Sequence, residues 1–248
     1  MEFLSVLKEV VTSFLPYFCV MCSKQGTMLC ERCAQQLRLL SPHCVVCQQY
    51  SPKGRTCAGC FERVSISSAI IPFGYGKAIK SLFSVYKYNR AFSYIKVIDE
   101  LLQTYSSIDP FLLFSQFERD KEVVLLPVPM HKKKLHERGF SPAYQIAEIL
   151  RDILHKRGLK AEIHPRLVTK EKLTEKQAGK TKDQRLLNQQ NVFSVNQAAL
   201  RTEIAAERKL VIVDDVISTG ATVFSLAEEL QKHTTNKLEL KLFAFARG

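Results

Sequence analysis

The sequence predicts two units: a small cysteine-rich, metal-binding domain over residues 1–64 and an α/β domain with a largely parallel sheet over residues 65–248. Three observations carry that prediction. All 8 cysteines fall between Cys19 and Cys60. Beyond Phe61, short apolar runs alternate with one-faced helical stretches, the pattern of strand and crossover helix in repetition. A chain of 248 residues also has room for one ordinary domain with its own core plus a small one.

The cysteines form four pairs of identical internal spacing, Cys19/Cys22, Cys30/Cys33, Cys44/Cys47 and Cys57/Cys60. A C-x-x-C step lets two thiolates from one tight turn face the same ion. Two such steps complete the four-sulfur tetrahedron that Zn²⁺ accepts, so eight ligands imply two structural zincs. The gaps between pairs are seven, ten and nine residues, and the two shorter ones each fit a small hairpin ending in its own ligand turn. The expected assignment is Cys19, Cys22, Cys30 and Cys33 to one ion and Cys44, Cys47, Cys57 and Cys60 to the other. Spacing alone also permits an interleaved arrangement, the first pair with the third. A disulfide framework is disfavoured, because no cysteine lies elsewhere and no export signal is evident. His43, beside Cys44, is a spare ligand type where eight thiols already suffice. Metal binding is expected to supply most of the folding free energy of so short a segment.

The elements of the second unit follow in order. SSAIIPFGYG reads as a strand ending in glycine turns, followed by helix from about Lys77 to Leu102 with a break near Asn89. EVVLLPVP is a strand that proline stops at Pro127 or Val128. PAYQIAEILRDILHKRG places Ile146, Ala147, Ile149, Leu150, Ile153 and Leu154 on one helical face, opened by Pro142 and closed by Gly158. Residues 209–213 form another buried strand, 222–232 another helix, and LELKLFAFA a terminal strand.

Thirty-six Lys and Arg against 24 Asp and Glu leave a formal charge of +12. Such an excess attracts polyanions without specifying one. Sixteen basic and eight acidic side chains lie between residues 121 and 185, densest in HKKK at 131–134. A solvated face accounts for such a run as well as an anion site does, but HKKK follows a strand end, where open α/β sheets place their ligand crevice. Lys8, Glu9 and Pro16 interrupt the apolar N-terminal stretch, which is therefore expected neither to span a membrane nor to act as a signal peptide. The expected location is cytoplasmic.

The segment KLVIVDDVISTGATVFSLAEEL joins a buried strand, two adjacent carboxylates, a small-residue turn and a helix. At the strand's carboxyl end, Asp214 and Asp215 offer acceptor oxygens for the two hydroxyls of a ribose. Ser218, Thr219, Gly220, Ala221 and Thr222 then form a loop whose backbone N–H groups, hydroxyls and helix dipole suit a phosphate monoester. GKT at 179–181 ends like a nucleotide P-loop, but Thr174 stands where that motif needs glycine and no apolar strand precedes it.

DDVISTGAT after an apolar strand resembles the signature of type I phosphoribosyltransferases, which bind 5-phosphoribosyl-1-pyrophosphate (PRPP) through this loop. The four cysteine pairs, then Lys87-Tyr88, PVP at 127–129, RGF at 138–140, TEKQ…GKTKDQRLLN and VDDVISTGAT resemble the ComF family in that order. The resemblance covers nearly the whole chain, and its nearest members are the ComFC proteins of bacterial DNA uptake. One departure stands out: the family continues RGF with Asn-Gln, where this chain has Ser141 and Pro142.

The resemblance implies a type I phosphoribosyltransferase-like parallel sheet behind a double zinc ribbon. It implies ribose binding by Asp214 and Asp215 and 5′-phosphate binding by residues 218–222. The turn of Val128, Pro129, Met130 and His131, with Arg138 and Gly139, would approach the pyrophosphate. Lys180 and Arg185 fall in a flexible loop that closes over the ligand, and Asn188 and Phe193 match the same segment. Mg²⁺ would be held mainly by ligand oxygens and water. A ComFA-type helicase-translocase and single-stranded DNA are the implied partners, in natural transformation. Whether the chain transfers the phosphoribosyl group to a nitrogen acceptor or only binds it is left open, since no acceptor pocket is legible. Direct DNA binding would be indifferent to sequence and steeply salt-dependent; aromatic content of 9% without tryptophan reveals no stacking platform.

Overall fold

The computed structural model describes residues 18–88, 92–108, 122–172, 192–236 and 238–248. Its elements run α1 (Glu31–Ala34), α2 (Ala58–Val64), β1 (Ile66–Ile70), β2 (Phe73–Gly74), α3 (Lys77–Tyr88), α4 (Ile95–Ile108), β3 (Val123–Pro127), α5 (Lys132–Arg138), α6 (Pro142–Lys156), β4 (Ala161–Ile163), β5 (Val168–Lys170), β6 (Phe193–Val195), α7 (Gln197–Ala205), β7 (Lys209–Ile217), α8 (Ala221–Lys232) and β8 (Leu240–Arg247). Short 3-10 turns occur at Pro52–Gly54 and Phe92–Tyr94.

The main sheet has the order β1-β8-β7-β3-β4, all parallel, with β2 continuing alongside β8. Because successive strand residues face opposite ways, each central strand feeds two cores. Val123, Leu125, Val211, Val213, Phe243 and Phe245 join one, with side chains of α3, α4 and α6. Val124, Leu126, Leu210, Ile212, Leu242 and Ala244 join the other, with α8, Leu200 of α7 and the antiparallel pair β5-β6. A doubly covered parallel sheet explains why its strands read as continuous apolar runs.

β3 stops at Pro127 and α6 opens at Pro142, as the prolines predict. Two boundaries differ. The helical region passes Leu102 to reach Ile108, and Leu102, Tyr105 and Ser106 are all buried on it. β7 continues past Val213 to Ile217 because β8 goes on pairing with it, through Asp214 with Ala244 and Ile217 with Arg247. On its other side, pairing with β3 ends at Val213 and Pro127, with a last backbone bond from Val128 N–H to the Val213 carbonyl at 2.8 Å. From Asp214 onward β7 therefore has one open edge, at the carboxyl end of the sheet.

The cysteine-rich segment is packed onto this sheet. Val45 is fully buried in the second core, Met28, Leu29 and Leu37 lean on the first, and Thr56 N–H bonds the Ser67 carbonyl at 2.8 Å. Among the described residues, no helix is long and apolar enough to cross a membrane.

Candidate ligand cleft and metal centres

The thiols gather as Cys19, Cys22, Cys30 and Cys33 in one cluster and Cys44, Cys47, Cys57 and Cys60 in the other, each with its sulfurs within 4.8 Å of one another. The interleaved arrangement is thereby excluded, and no disulfide joins any of them. Sulfur–sulfur distances are 3.7 Å for Cys22–Cys30 and 3.9 Å for Cys44–Cys57 and Cys47–Cys57. Zn–S bonds of about 2.3 Å put the corners of a tetrahedron about 3.8 Å apart, so both clusters fit the ion.

The two halves repeat one design. A bridge of Phe18 with Gln25, or His43 with Tyr50, encloses the first thiol pair. Ser23 or Gln48, one residue past that pair, takes positive φ. Cys30 or Cys57 then stands at the N-cap of a short helix. Burial raises the Cys19 and Cys44 thiols, but backbone N–H groups outweigh it and bring both down to about 6. Cys33 is pushed up to about 12 by burial and its neighbouring thiols, Cys60 to about 12 by its neighbouring thiols and burial. Four crowded thiols cannot all ionise without a cation among them. His43 turns away from its cluster, its Nδ1–H donating to the Ser41 carbonyl at 2.9 Å.

At the carboxyl edge of the sheet, Asp214 and Asp215 share a cleft of about 140 Å³ with Val128, Pro129, Met130, His131 and Arg138. Sequence reasoning assigned all seven, and the fold brings them together. Gly139 follows as the left-handed cap of α5 (φ 83°). His131 opens that helix, its Nδ1 accepting the Lys133 N–H at 3.2 Å. Lys180, Arg185 and Asn188 lie outside the described residues, between β5 and β6. Phe193 is a core residue, 5% exposed, with the Lys170 ammonium 5.6 Å from its ring centre.

Four polar contributors were not assigned a role by sequence reasoning: Lys87, Lys134, Ser141 and Lys170 also line the cleft, with Pro142 and Ala143. Lys87 was legible only as half of a two-residue motif, Lys134 only as part of a basic run, and Lys170 gave no signal because a three-residue strand carries it.

As strand neighbours the two acids leave β7 on opposite faces. Asp215 is ion-paired to Lys87 of α3, the pair 14% and 19% exposed respectively. The Lys87 ammonium also lies 5.1 Å from the Phe83 ring centre. Burial, and then the Asp215 charge, push the Asp214 carboxyl up to about 8. Asp214 Oδ1 nonetheless accepts the Asp215 N–H at 2.9 Å, and Asp215 Oδ1 the Val216 N–H at 2.7 Å. Burial and the nearby Lys134 charge lower the Lys170 ammonium. Tyr86, bonded to Gln145 and 4.9 Å from the Phe140 ring, ties α3 to the RGF turn, and burial with the Asp215 charge holds its phenol up. Four cations thus surround two acids, one of which resists ionising.

Beyond β7, Ser218, Thr219 and Thr222 are exposed while Gly220 is buried at the N-cap of α8 with φ 80°. A Cβ at Gly220 would meet the Phe224 ring at 2.6 Å. The Ala221 N–H reaches only Thr219 Oγ1, at 3.4 Å. First-turn N–H groups have no intrahelical partner and face the space before the helix, where an anion is favoured.

Two curated relatives match the chain. Competence protein ComFC of Bacillus subtilis is 26% identical over 208 residues, covering 81% of this chain and 76% of that protein. Competence protein F of Haemophilus influenzae is 24% identical over 244 residues, covering 95% and 99%. The chain is similar to both competence proteins over most of its length. No family model matches it. The mixed α/β architecture with a parallel sheet and the two four-thiol clusters are the fold expected of a ComF-like chain with a double zinc ribbon.

Proposed function

We propose that this ComF-like chain is a competence protein that binds PRPP with Mg²⁺ at the carboxyl edge of its sheet and holds two structural zinc ions. The observation that carries the reading is charge arranged by position. A turn of exposed hydroxyls leading into a helix N-terminus follows β7, the paired acids precede it, and Lys87, Lys134, Arg138 and Lys170 line the cleft with those acids. PRPP has the matching order of 5′-phosphate, ribose hydroxyls and pyrophosphate. On binding, pyrophosphate would draw Lys87 and the other cations, and the ribose hydroxyls would meet Asp214 and Asp215. Mg²⁺ would bridge ligand oxygens and water rather than occupy a protein cage.

The competence setting is taken from the two relatives' names. The ComF resemblance adds the proposal of single-stranded DNA as the material handled and a ComFA-type helicase-translocase as partner, the net charge of +12 being the feature that favours a polyanion.

The test is titration calorimetry of PRPP with Mg²⁺ into the wild type and an Asp214→Ala, Asp215→Ala double variant. The expected result is binding that the variant loses while zinc stays at two per chain; equal affinity in both would remove the assignment. For DNA, affinity for single strands across a salt series should fall steeply as salt rises, and its absence at low salt would leave partner docking alone.

A further inference from the structure

A larger cavity, about 560 Å³, lies on the other flank of β7, at the seam between the cysteine-rich segment and the carboxyl ends of β2 and β8. Its walls include Arg38, Leu39, His43, Tyr50, Tyr75 and Arg247. Two cations and three aromatic rings line it, and none of its lining residues is acidic.

Two of the lining residues each carry a buried atom with no hydrogen-bond partner among the described residues, Arg247 Nε and His43 Nε2. Arg247 is 7% exposed, and one of its terminal nitrogens donates to the Val45 carbonyl at 2.8 Å. A carbonyl only accepts, so His43 Nδ1 carries a proton that it donates to Ser41. A buried polar atom left unpaired is costly, and in native proteins it commonly marks the place of a missing ligand or water. An arginine fork suits a carboxylate, aromatic walls suit a flat ring, and the volume falls in the range of small-molecule sites.

We infer that this cavity is a second ligand site, for a planar aromatic carboxylate. Its position gives it a use. Arg247 pairs with Ile217, and the Gly248 N–H bonds the Ile217 carbonyl at 2.9 Å, so the wall of the cavity abuts the last β7 residue before the loop of residues 218–222. The strand order β8-β7-β3 sets it across β7 from the pyrophosphate cations. With PRPP in the cleft as proposed, a nucleophile would reach C1′ opposite the departing pyrophosphate, and a molecule in this cavity would stand across β7 from that group. The role as acceptor site rests on the PRPP reading, whereas the binding itself rests on the cavity's own lining.

Saturation-transfer NMR on the zinc-loaded full chain tests the site with benzoate and 4-aminobenzoate as probes and benzamide and cyclohexanecarboxylate as controls. Both aromatic carboxylates should bind, the controls about tenfold more weakly. Arg38→Met and Tyr50→Ala, at exposed positions, should each weaken benzoate about tenfold with PRPP affinity unchanged. No benzoate binding, or benzamide binding as well as benzoate, would overturn the inference. Benzoate binding by a chain indifferent to PRPP would uphold the site and refute the PRPP reading instead.

Discussion

Asp214 sits where a carboxylate is least comfortable, and the consequence is measurable. Burial and then the Asp215 charge disfavour the ionised form of its carboxyl and push it from 3.8 for a free group up to about 8 in the folded chain. Between these values the unfolded chain has released the proton and the folded one has kept it, so stability falls as pH rises from about 4 to about 8. Asp214→Asn keeps the acceptor for the Asp215 N–H and removes the proton. Thermal melts should show this variant little changed near pH 4 and more stable than wild type by a few kcal/mol, to order of magnitude, at pH 8 and above. A pH-independent difference would show that Asp214 is not the titrating group. Lys87→Met leaves Asp215 without its cation and the proposed pyrophosphate site without one of its four. PRPP affinity should drop about tenfold to a hundredfold, as for a lost charge-assisted bond of about 1.5–3 kcal/mol, whereas Lys87→Arg should keep most of it in the same calorimetric assay.

The elements that place these groups are the open end of β7 and the glycine turn after it. β3 ends at Pro127, so β7 outruns its neighbour by four residues, Asp214 to Ile217, and presents the acids at a free edge. Gly220→Ala forces a side chain into positive φ and against Phe224. It should cost about 1–3 kcal/mol in denaturant melts and weaken PRPP through the misplaced first turn of α8. Wild-type affinity in that variant would mean that the turn is no phosphate cradle. Proline punctuation and apolar periodicity made β3, α6 and α8 legible in sequence. β4, β5 and β6 escaped because three residues carry no readable period, and α4 outran Leu102 because residues buried by tertiary packing extended it. The end of β7 depends on its pairing with β8, which no local pattern announces.

Across the whole molecule, the cysteine-rich segment and the sheet share a core. Val45, next to the ligand Cys44, is fully buried against the strands, and Arg247 at the end of β8 reaches its carbonyl. Chelating zinc should therefore lower the melting temperature of the sheet itself, by about 2–4 °C for each kcal/mol lost. A sheet transition unmoved by chelation would show the two parts to be independent. The thiol pairs and the Asp-Asp loop were plain in sequence because their chemistry is local. Lys87 and Lys170 were not, since they meet the acids only through the fold, and the cavity beside Arg247 arises where residues 38–50 and 74–76 converge on the carboxyl end of β8. The central claim is that this edge of the sheet recognises a phosphorylated, pyrophosphorylated ribose. Phosphorus NMR of PRPP titrated with the chain and Mg²⁺ addresses it directly. The 5′-phosphate and both pyrophosphate resonances should shift or broaden together and stay put with the Asp214→Ala, Asp215→Ala variant; three resonances unmoved by the wild-type chain would refute PRPP recognition at this edge.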